Sequence, residues 1–134
     1  MKILVDSSGW VEFFSGGLLA DRYAALMKDT AQLVTPTIVL YEVYKKIKRE
    51  RGEEAALLVA GCLNATKVIP LTESIALLAA DLSLHHGLAM ADAIIYATSL
   101  EEKAQVVTSD ADLKDLPNVV YLKAPQKKQG NGNA

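Results

Sequence analysis

Short apolar runs alternate along this chain with longer segments in which apolar residues recur at every third or fourth position. The short runs are typical of buried strands, and the three-to-four spacing is typical of amphipathic helices. The predicted strands cover residues 3–5, 32–34, 68–71, 105–108 and 119–122. The predicted helices cover about residues 10–14, 18–28, 36–51, 53–63, 73–86 and 90–102. Strands that alternate with helices predict an α/β fold, a three-layer α/β/α sandwich around a mostly parallel sheet.

Capping residues and prolines mark the ends of several of these elements. Thr35 is a good N-cap with Pro36 at the first helical position, and Thr72 can cap the helix that Gly87 ends. Pro70 lies within a predicted strand, and proline cannot donate a hydrogen bond to a ladder. We therefore expect that strand to lie at an edge of the sheet.

The composition fits one compact domain. Of the 134 residues, 51% are hydrophobic and 22% are charged, and the net charge of −2 gives no overall attraction to nucleic acid or to an anionic membrane. We assign residues 1–124 to a single domain. Residues 125–134 have no apolar side chain that could anchor them, and we expect them to form a frayed polar tail.

Cysteine use and hydropathy favour a cytoplasmic protein. Cys62 is the only cysteine, which excludes an intrachain disulfide and favours a reducing compartment. We expect its side chain to be a small buried hydrophobe. The apolar stretches are far shorter than the roughly 20 residues of a membrane span, and the N-terminus leads directly into a strand without an apolar signal segment.

Two carboxylates, Asp6 and Glu42, have apolar neighbours in the sequence. Asp6 follows the run at residues 3–5, so it lies at the carboxyl end of a strand, where open α/β sheets bind their ligands. A helix N-cap is the alternative role for Asp6. Glu42 lies between large apolar residues of its helix, but it could instead be a surface residue paired with Lys45 or Lys46.

Asp92 is the only charged residue in the apolar segment 89–97. An all-round apolar segment predicts a buried helix, and a buried carboxylate needs a cation, hydrogen bonds or a raised pKa. Its position in the first helical turn also gives some help from the helix dipole. A structural cap is the alternative to a functional role.

Asp110 and Asp112 follow the fourth predicted strand, in a sequence that is also an ordinary turn composition. Because the carboxyl ends of parallel strands share one edge, we expect Asp6 and Asp110 to lie close together. Acids gathered there would repel one another without a divalent cation, and oxygen-only ligands favour Mg²⁺ or Mn²⁺. We therefore interpret Asp6 as a central metal ligand and leave the helix cap to Ser7 or Ser8.

The order and spacing of four motifs resemble those of PIN-domain nucleases, and most closely those of VapC-type toxins of toxin–antitoxin pairs. The motifs are residues 3–11 (Ile-Leu-Val-Asp-Ser-Ser-Gly-Trp-Val), Thr35-Pro36 leading to Tyr41-Glu42-Val43, residues 87–97, and residues 106–113. The resemblance covers about residues 2–122. Leu113 stands where many members have Phe, a change in packing that leaves the chemistry intact.

The resemblance implies a metal-dependent endoribonuclease. The residues at the family's acidic positions, and therefore the expected catalytic residues, are Asp6, Glu42, Asp92 and Asp110. The expected ligands of one or two Mg²⁺ or Mn²⁺ ions are Asp6, Asp92, Asp110 and Asp112, with Thr108 and Ser7 in support. Lys45, Lys46 and Arg49 lie on the helix that carries Glu42 and could contact an RNA backbone, although a solvated helix end is the alternative.

Partners also follow from the resemblance. A toxin implies a cognate antitoxin, which we expect to offer a basic side chain to the carboxylates. Apolar helices at residues 55–60 and 75–78 predict a homodimer, a partner groove, or both. A PIN-domain nuclease that processes RNA without being a toxin, and a PIN fold that only binds, are the alternatives. A phosphoacceptor receiver domain is excluded because the strand at residues 68–71 does not end in an acceptor Asp.

Overall fold

Five parallel strands form the centre of the molecule. The computed structural model describes residues 1–125, so the expected tail lies outside the described residues apart from Pro125. The strands are β1 (Ile3–Val5), β2 (Leu33–Pro36), β3 (Lys67–Ile69), β4 (Gln105–Thr108) and β5 (Val119–Tyr121). Their order across the sheet is β3-β2-β1-β4-β5, and every neighbouring pair is parallel.

Helices separate the strands and bury the sheet between them. They are α1 (Ser7–Ser15), α2 (Ala20–Leu26), α3 (Thr37–Arg51), α4 (Glu53–Asn64), α5 (Glu73–His86) and α6 (Met90–Glu102). The central strands have fully buried apolar side chains, among them Leu4 and Val5 of β1 and Val106 and Val107 of β4. Burial on both faces is the reason that these strands are continuous apolar runs. The predicted three-layer α/β/α fold is confirmed.

The strand order reverses direction beside β1. The chain runs outward from β1 through β2 to β3, and then returns to place β4 on the other side of β1, with β5 beyond it. Val5 at the end of β1 is paired with Val107 of β4. The carboxyl ends of β1 and β4 therefore flank the topological switch point, the position at which open α/β sheets bind ligands.

The helix that follows β2 begins later than the sequence predicted. Thr35 and Pro36 belong to β2 and pair with Val68 and Ile69 of β3, and α3 starts at Thr37 with Pro36 at its N-cap position. The Thr35 hydroxyl shares a 2.6 Å hydrogen bond with the Thr66 hydroxyl, so it does not cap the helix. The prediction of a Thr35 cap with proline at the first helical position is therefore wrong.

Other element ends agree more closely with the sequence. Thr72 caps α5 by accepting a hydrogen bond from the Ile75 amide, and Gly87 ends that helix in the left-handed region at φ 69°. The strand β3 stops at Ile69, before the proline, and lies at an edge of the sheet as predicted. The prediction that Cys62 is buried is wrong, because its side chain on α4 is exposed.

Within residues 1–125, no single helix combines the length and the apolar character needed to cross a bilayer. Only α5 and α6 taken together meet those two requirements, and a bend of 116° separates them.

Candidate active site

Asp6 lies at the switch point, directly after β1, and its carboxylate accepts three hydrogen bonds. Oδ1 accepts from the Ser8 hydroxyl at 2.8 Å and from the Gly9 amide at 3.0 Å, and Oδ2 accepts from the Thr108 hydroxyl at 2.5 Å. Only 3% of Asp6 is exposed to solvent. Burial raises the pKa of Asp6, these three hydrogen bonds oppose that rise, and the negative charge of Asp110 adds to it.

The bond from Gly9 makes Asp6 the N-cap of α1. We had expected Ser7 or Ser8 to cap this helix, and that expectation is wrong. Asp6 itself has the extended backbone of an N-cap residue (φ −78°, ψ 178°), and its short side chain reaches the Gly9 amide in the first turn. Ser8 instead donates its hydroxyl to the Asp6 carboxylate.

Thr108, the last residue of β4, connects Asp6 to the acidic turn that follows the strand. Its buried hydroxyl donates to Asp6 Oδ2 and accepts a 2.8 Å hydrogen bond from the Asp110 amide. Asp110 in turn caps a 3₁₀ turn at Ala111–Leu113 through a 2.9 Å bond from the Asp112 amide to its Oδ1. The Thr108 hydroxyl thus fixes the positions of two acids, Asp6 and Asp110, which follow neighbouring strands.

Asp92, Asp110 and Asp112 form a group of three carboxylates in front of these strand ends. Each offers one oxygen, and these oxygens all lie within 4.8 Å of one another. Asp92 projects from the first turn of α6 and is half-buried. Among residues 1–125, this is the only such group of three potential metal-ligating side chains.

The electrostatics of Asp92 are those of an acid held near other acids. Its pKa is raised from 3.8 to about 6, first by burial and then by the negative charges of Asp110, Asp112, Asp6 and Glu42. Asp6 and Glu42 lie outside the group of three but contribute to the same negative field. A donor set of carboxylate oxygens with mutual repulsion suits a hard divalent cation such as Mg²⁺ or Mn²⁺.

Glu42 approaches this region from α3. Its Oε1 accepts a 2.5 Å hydrogen bond from the Ser7 hydroxyl at the start of α1. The alternative pairing with Lys45 or Lys46 does not occur, because Lys45 donates to the Tyr41 hydroxyl at 3.3 Å and Lys46 lies 3.6 Å from a Glu50 oxygen. Glu42 is therefore joined to the first residue of α1, directly after Asp6, rather than to its own helix.

A cavity of about 490 Å³ opens beside Glu42 and Ser7. Its lining includes the three basic residues that the sequence singled out, Lys45, Lys46 and Arg49. Arg49 follows Lys46 by three positions and Lys45 by four, so it shares a side of α3 with both lysines. The structure thus places the basic side chains and one of the candidate catalytic acids on the same cavity.

Sequence reasoning missed the buried hydroxyl network behind the acids. The Tyr23 hydroxyl on α2 shares a 2.6 Å hydrogen bond with the Ser109 hydroxyl, and the Ser109 amide donates to the Ser8 hydroxyl at 3.3 Å. Burial raises the pKa of Tyr23 to about 12, so this hydroxyl stays protonated. The hydroxyl residues next to Asp6 and Asp110 were the available signal for hydrogen bonds in this region. The sequence could not identify Tyr23 as a partner, because it is 86 positions from Ser109 and no local pattern joins them.

The family model of the PIN domain matches residues 3–119. The chain belongs to the PIN domain family. The match covers β1 to β4 and ends at Val119, the first residue of β5, so it includes all five candidate acids. No curated protein sequence matches the chain significantly.

Solved structures with this PIN fold include VapC toxins and their complexes. A toxin–antitoxin complex from Klebsiella pneumoniae is 26% identical with a TM-score of 0.76, over 89% of this chain and 96% of that one. The Mycobacterium tuberculosis toxin VapC20, described as cleaving the sarcin–ricin loop, is 21% identical with a TM-score of 0.68, over 83% and 92%. DNA-bound VapBC from Salmonella typhimurium is 14% identical with a TM-score of 0.71, over 93% and 99%. This chain is thus a VapC-like PIN-domain protein.

Proposed function

We propose that this protein is a metal-dependent endoribonuclease and the toxin of a VapBC-type pair. The observation that carries the proposal is the group of Asp92, Asp110 and Asp112 at the switch point, with Asp6 buried behind it. Family membership and the VapC-like neighbours support a nuclease toxin. The RNA substrate, the metal and the cytoplasmic location are parts of the proposal.

The acids would hold one or two Mg²⁺ or Mn²⁺ ions, with Asp6, Asp92, Asp110 and Asp112 as the ligand set. A bound divalent cation supplies Lewis acidity towards water and the phosphate and offsets the negative charge that develops in phosphodiester hydrolysis. Thr108 keeps Asp6 oriented, and Ser7 keeps Glu42 oriented, through the hydrogen bonds described above. One of these carboxylates accepts the proton of the attacking water. We expect the 3′-oxygen to be the leaving group, which gives products with a 5′-phosphate and a 3′-hydroxyl.

Basic side chains in the cavity support the proposal that an acidic site can attract RNA. Lys45 and Arg49 are exposed, and with Lys46 they line the cavity that also contains Glu42. Cations that share a cavity with a candidate catalytic acid can hold the phosphates that flank the scissile bond, while the scissile phosphate lies at the carboxylates. Binding should therefore weaken as salt concentration rises.

The decisive test is cleavage of labelled RNA by the purified protein with Mn²⁺ or Mg²⁺ and with EDTA. We expect cleavage only with metal, and loss of cleavage in Asp92→Asn and Asp6→Asn. Asn is as good an N-cap as Asp, so Asp6→Asn keeps the cap of α1. Asp81→Asn, which changes an exposed acid on α5, is the matched control and should retain activity. Full activity in EDTA, or in either site variant, would contradict the proposal.

A nuclease that processes RNA without being a toxin is distinguished by its genetic context and partner. We expect a small antitoxin gene directly upstream, and we expect its product to bind this protein and inhibit cleavage. The three solved structures above include toxin–antitoxin and VapBC assemblies, which supports such a partner. An active nuclease without any inhibiting neighbour would favour the processing role.

We also propose a homodimer. Exposed leucines extend over α4 and α5 where an isolated domain would expose polar residues: Leu57, Leu58, Leu77 and Leu84 are each exposed by more than half. Apolar patches of this kind mark protein interfaces. Sedimentation at micromolar concentration should give a dimer, and a strict monomer would contradict this part of the proposal.

A further inference from the structure

Tyr41 is a large aromatic side chain that the fold leaves in solvent. It is 57% exposed on α3, and among residues 1–125 it is the only aromatic residue in the set of exposed large hydrophobic side chains. It directly precedes Glu42 in the sequence, and both residues line the cavity of about 490 Å³. Tyr is a mediocre helix former, so helix propensity does not account for its place on α3.

The ring of Tyr41 is held in place by a cation. Lys45, one helical turn later, lies with its Nζ 5.4 Å from the ring centroid and donates a 3.3 Å hydrogen bond to the Tyr41 hydroxyl. A cation–π contact of this kind orients the ring without burying it. Lys45 thus contacts the hydroxyl end of the ring, and the side chain of Tyr41 remains 57% exposed and open to another planar group.

The cavity beside Tyr41 has the size and charge of a site for part of a polyanion. Ligand sites are commonly about 300–1,000 Å³, and this cavity falls in that range. Three cations (Lys45, Lys46 and Arg49) line it together with two carboxylates, Glu42 and Glu12. Glu12 is already engaged, since its Oε2 accepts a 2.9 Å hydrogen bond from the Leu19 amide.

We propose that Tyr41 stacks against an unpaired base of the RNA, beside the phosphate that is cleaved. This inference rests on the proposed ribonuclease function and narrows its substrate to RNA that is single-stranded at the cut site. Proteins that bind single strands combine a basic groove with an aromatic ring on which a base stacks, and both features meet here. Tyr41 and Glu42 line the same cavity, so a base stacked on Tyr41 would lie beside one of the candidate catalytic acids.

The same helix contains a matched control. Lys48 lies 5.4 Å from the ring centroid of Tyr44 and donates a 3.4 Å hydrogen bond to its hydroxyl, which repeats the pair of Tyr41 and Lys45. Tyr44, however, is partly buried against the core, and in the described part of the chain it does not line the cavity. The two pairs share their chemistry and differ in the burial of the tyrosine and in its position relative to the cavity.

The test uses Tyr41→Phe, Tyr41→Leu and Tyr44→Leu with a single-stranded RNA of about 12 nucleotides that spans the site where the wild-type protein cuts total RNA. A series of otherwise identical RNAs carries an abasic ribose at successive positions. Affinity is measured in EDTA by fluorescence anisotropy, kcat/KM is measured with Mn²⁺, and melting temperatures verify folding. We expect Tyr41→Leu to weaken binding about 5- to 150-fold, and Tyr41→Phe and Tyr44→Leu to stay within about twofold of wild type.

The abasic series separates stacking from a structural effect. One abasic position should weaken binding to the wild-type protein by about the same factor, and should have no further effect on Tyr41→Leu, because the two changes remove one shared contact. Equal binding by Tyr41→Leu and wild type, or an abasic penalty that persists in Tyr41→Leu, would overturn the inference. So would a variant that binds RNA normally but fails to bind the antitoxin, since Tyr41 would then belong to a protein interface. If the wild-type protein cuts no RNA, the proposed function fails as well. Cleavage that is unaffected by Tyr41→Leu overturns the stacking role alone.

Discussion

The substitution Asp92→Asn should stabilise the metal-free protein at neutral pH although it removes a candidate catalytic group. A pKa displaced from 3.8 to about 6 corresponds to about 3 kcal/mol of unfavourable free energy for the charged form. Asp92 is only half-buried, so solvent screens the repulsion, and we take about half of this figure. Asn also loses the favourable interaction of the charge with the α6 dipole, about 0.3–1 kcal/mol. The net gain is therefore about 1 kcal/mol, or about 3–4 °C in melting temperature for a chain of this length.

The sign of the pH dependence follows from the direction of the pKa shift. Folding raises the pKa of Asp92, so the folded state binds more protons than the unfolded chain between pH 3.8 and about 6. The wild-type protein therefore avoids the cost below pH 3.8, incurs it progressively as the pH rises, and carries all of it above about pH 6. Asp92→Asn lacks this titration, so its advantage over wild type should be largest above pH 6 and should disappear towards pH 4.

Thermal unfolding in EDTA at about pH 7.5 and about pH 4.5, by calorimetry or circular dichroism, measures this difference. Asp81→Asn removes an exposed negative charge from α5 and serves as the control for net charge. Saturating Mn²⁺ should reverse the order of stability, because the cation binds the folded wild-type protein and binds the variant more weakly. A variant that is less stable than wild type in EDTA at neutral pH would refute the claim that these acids repel one another.

Three further changes test the hydrogen-bonded framework, each by urea or thermal unfolding. Thr108→Val removes the hydroxyl between the Asp6 carboxylate and the acidic turn, and it should cost about 1–3 kcal/mol because buried groups lose their partners; an unchanged midpoint would contradict this. Tyr23→Phe should cost about 0.5–1.5 kcal/mol through the lost bond to Ser109, and no loss would mean that water replaces it. Gly9→Ala should cost about 1–3 kcal/mol, since its Cβ would lie 2.5 Å from the Tyr23 ring, and a fully stable variant would show that the ring can move.

Much of the fold could be predicted from the sequence because its signals are local. Continuous apolar runs such as β1 and β4 indicate strands that are buried on both faces. The first turns of α6 are apolar around the helix, which indicates a buried helix, and residues 93–99 are buried. The start of α3 could not be predicted in this way. Threonine is a residue type that favours helix caps, but the Thr35 hydroxyl is hydrogen-bonded to the Thr66 hydroxyl. Thr66 is 31 positions away and directly precedes β3. Tertiary pairing overrides a capping preference of about 1 kcal/mol.

The location of the candidate site could be predicted from the sequence for a related reason. Parallel strands bring their carboxyl ends to one edge, so acids that follow β1 and β4 lie on the same side of the sheet, and they meet because the two strands are neighbours. The hydrogen-bond partners of those acids could not be predicted. The bond from Ser7 to Glu42 spans 35 positions and the bond from Thr108 to Asp6 spans 102, and no periodicity reports contacts between elements that meet only in the folded state.

The hydrogen bonds also determine how many lone-pair positions each acid can offer to a cation. A carboxylate offers about four lone-pair positions, and Asp6 uses three of them for Ser8, Gly9 and Thr108. Asp92 accepts no side-chain hydrogen bond from any described residue, and its raised pKa shows that protein donors do not offset the negative charges around it. Asp6 can therefore give at most about one position to a cation, whereas Asp92 can give all of its positions. If a metal binds here, Asp92 would be a more available ligand than Asp6, and Asp6 would join the site to α1 and the sheet.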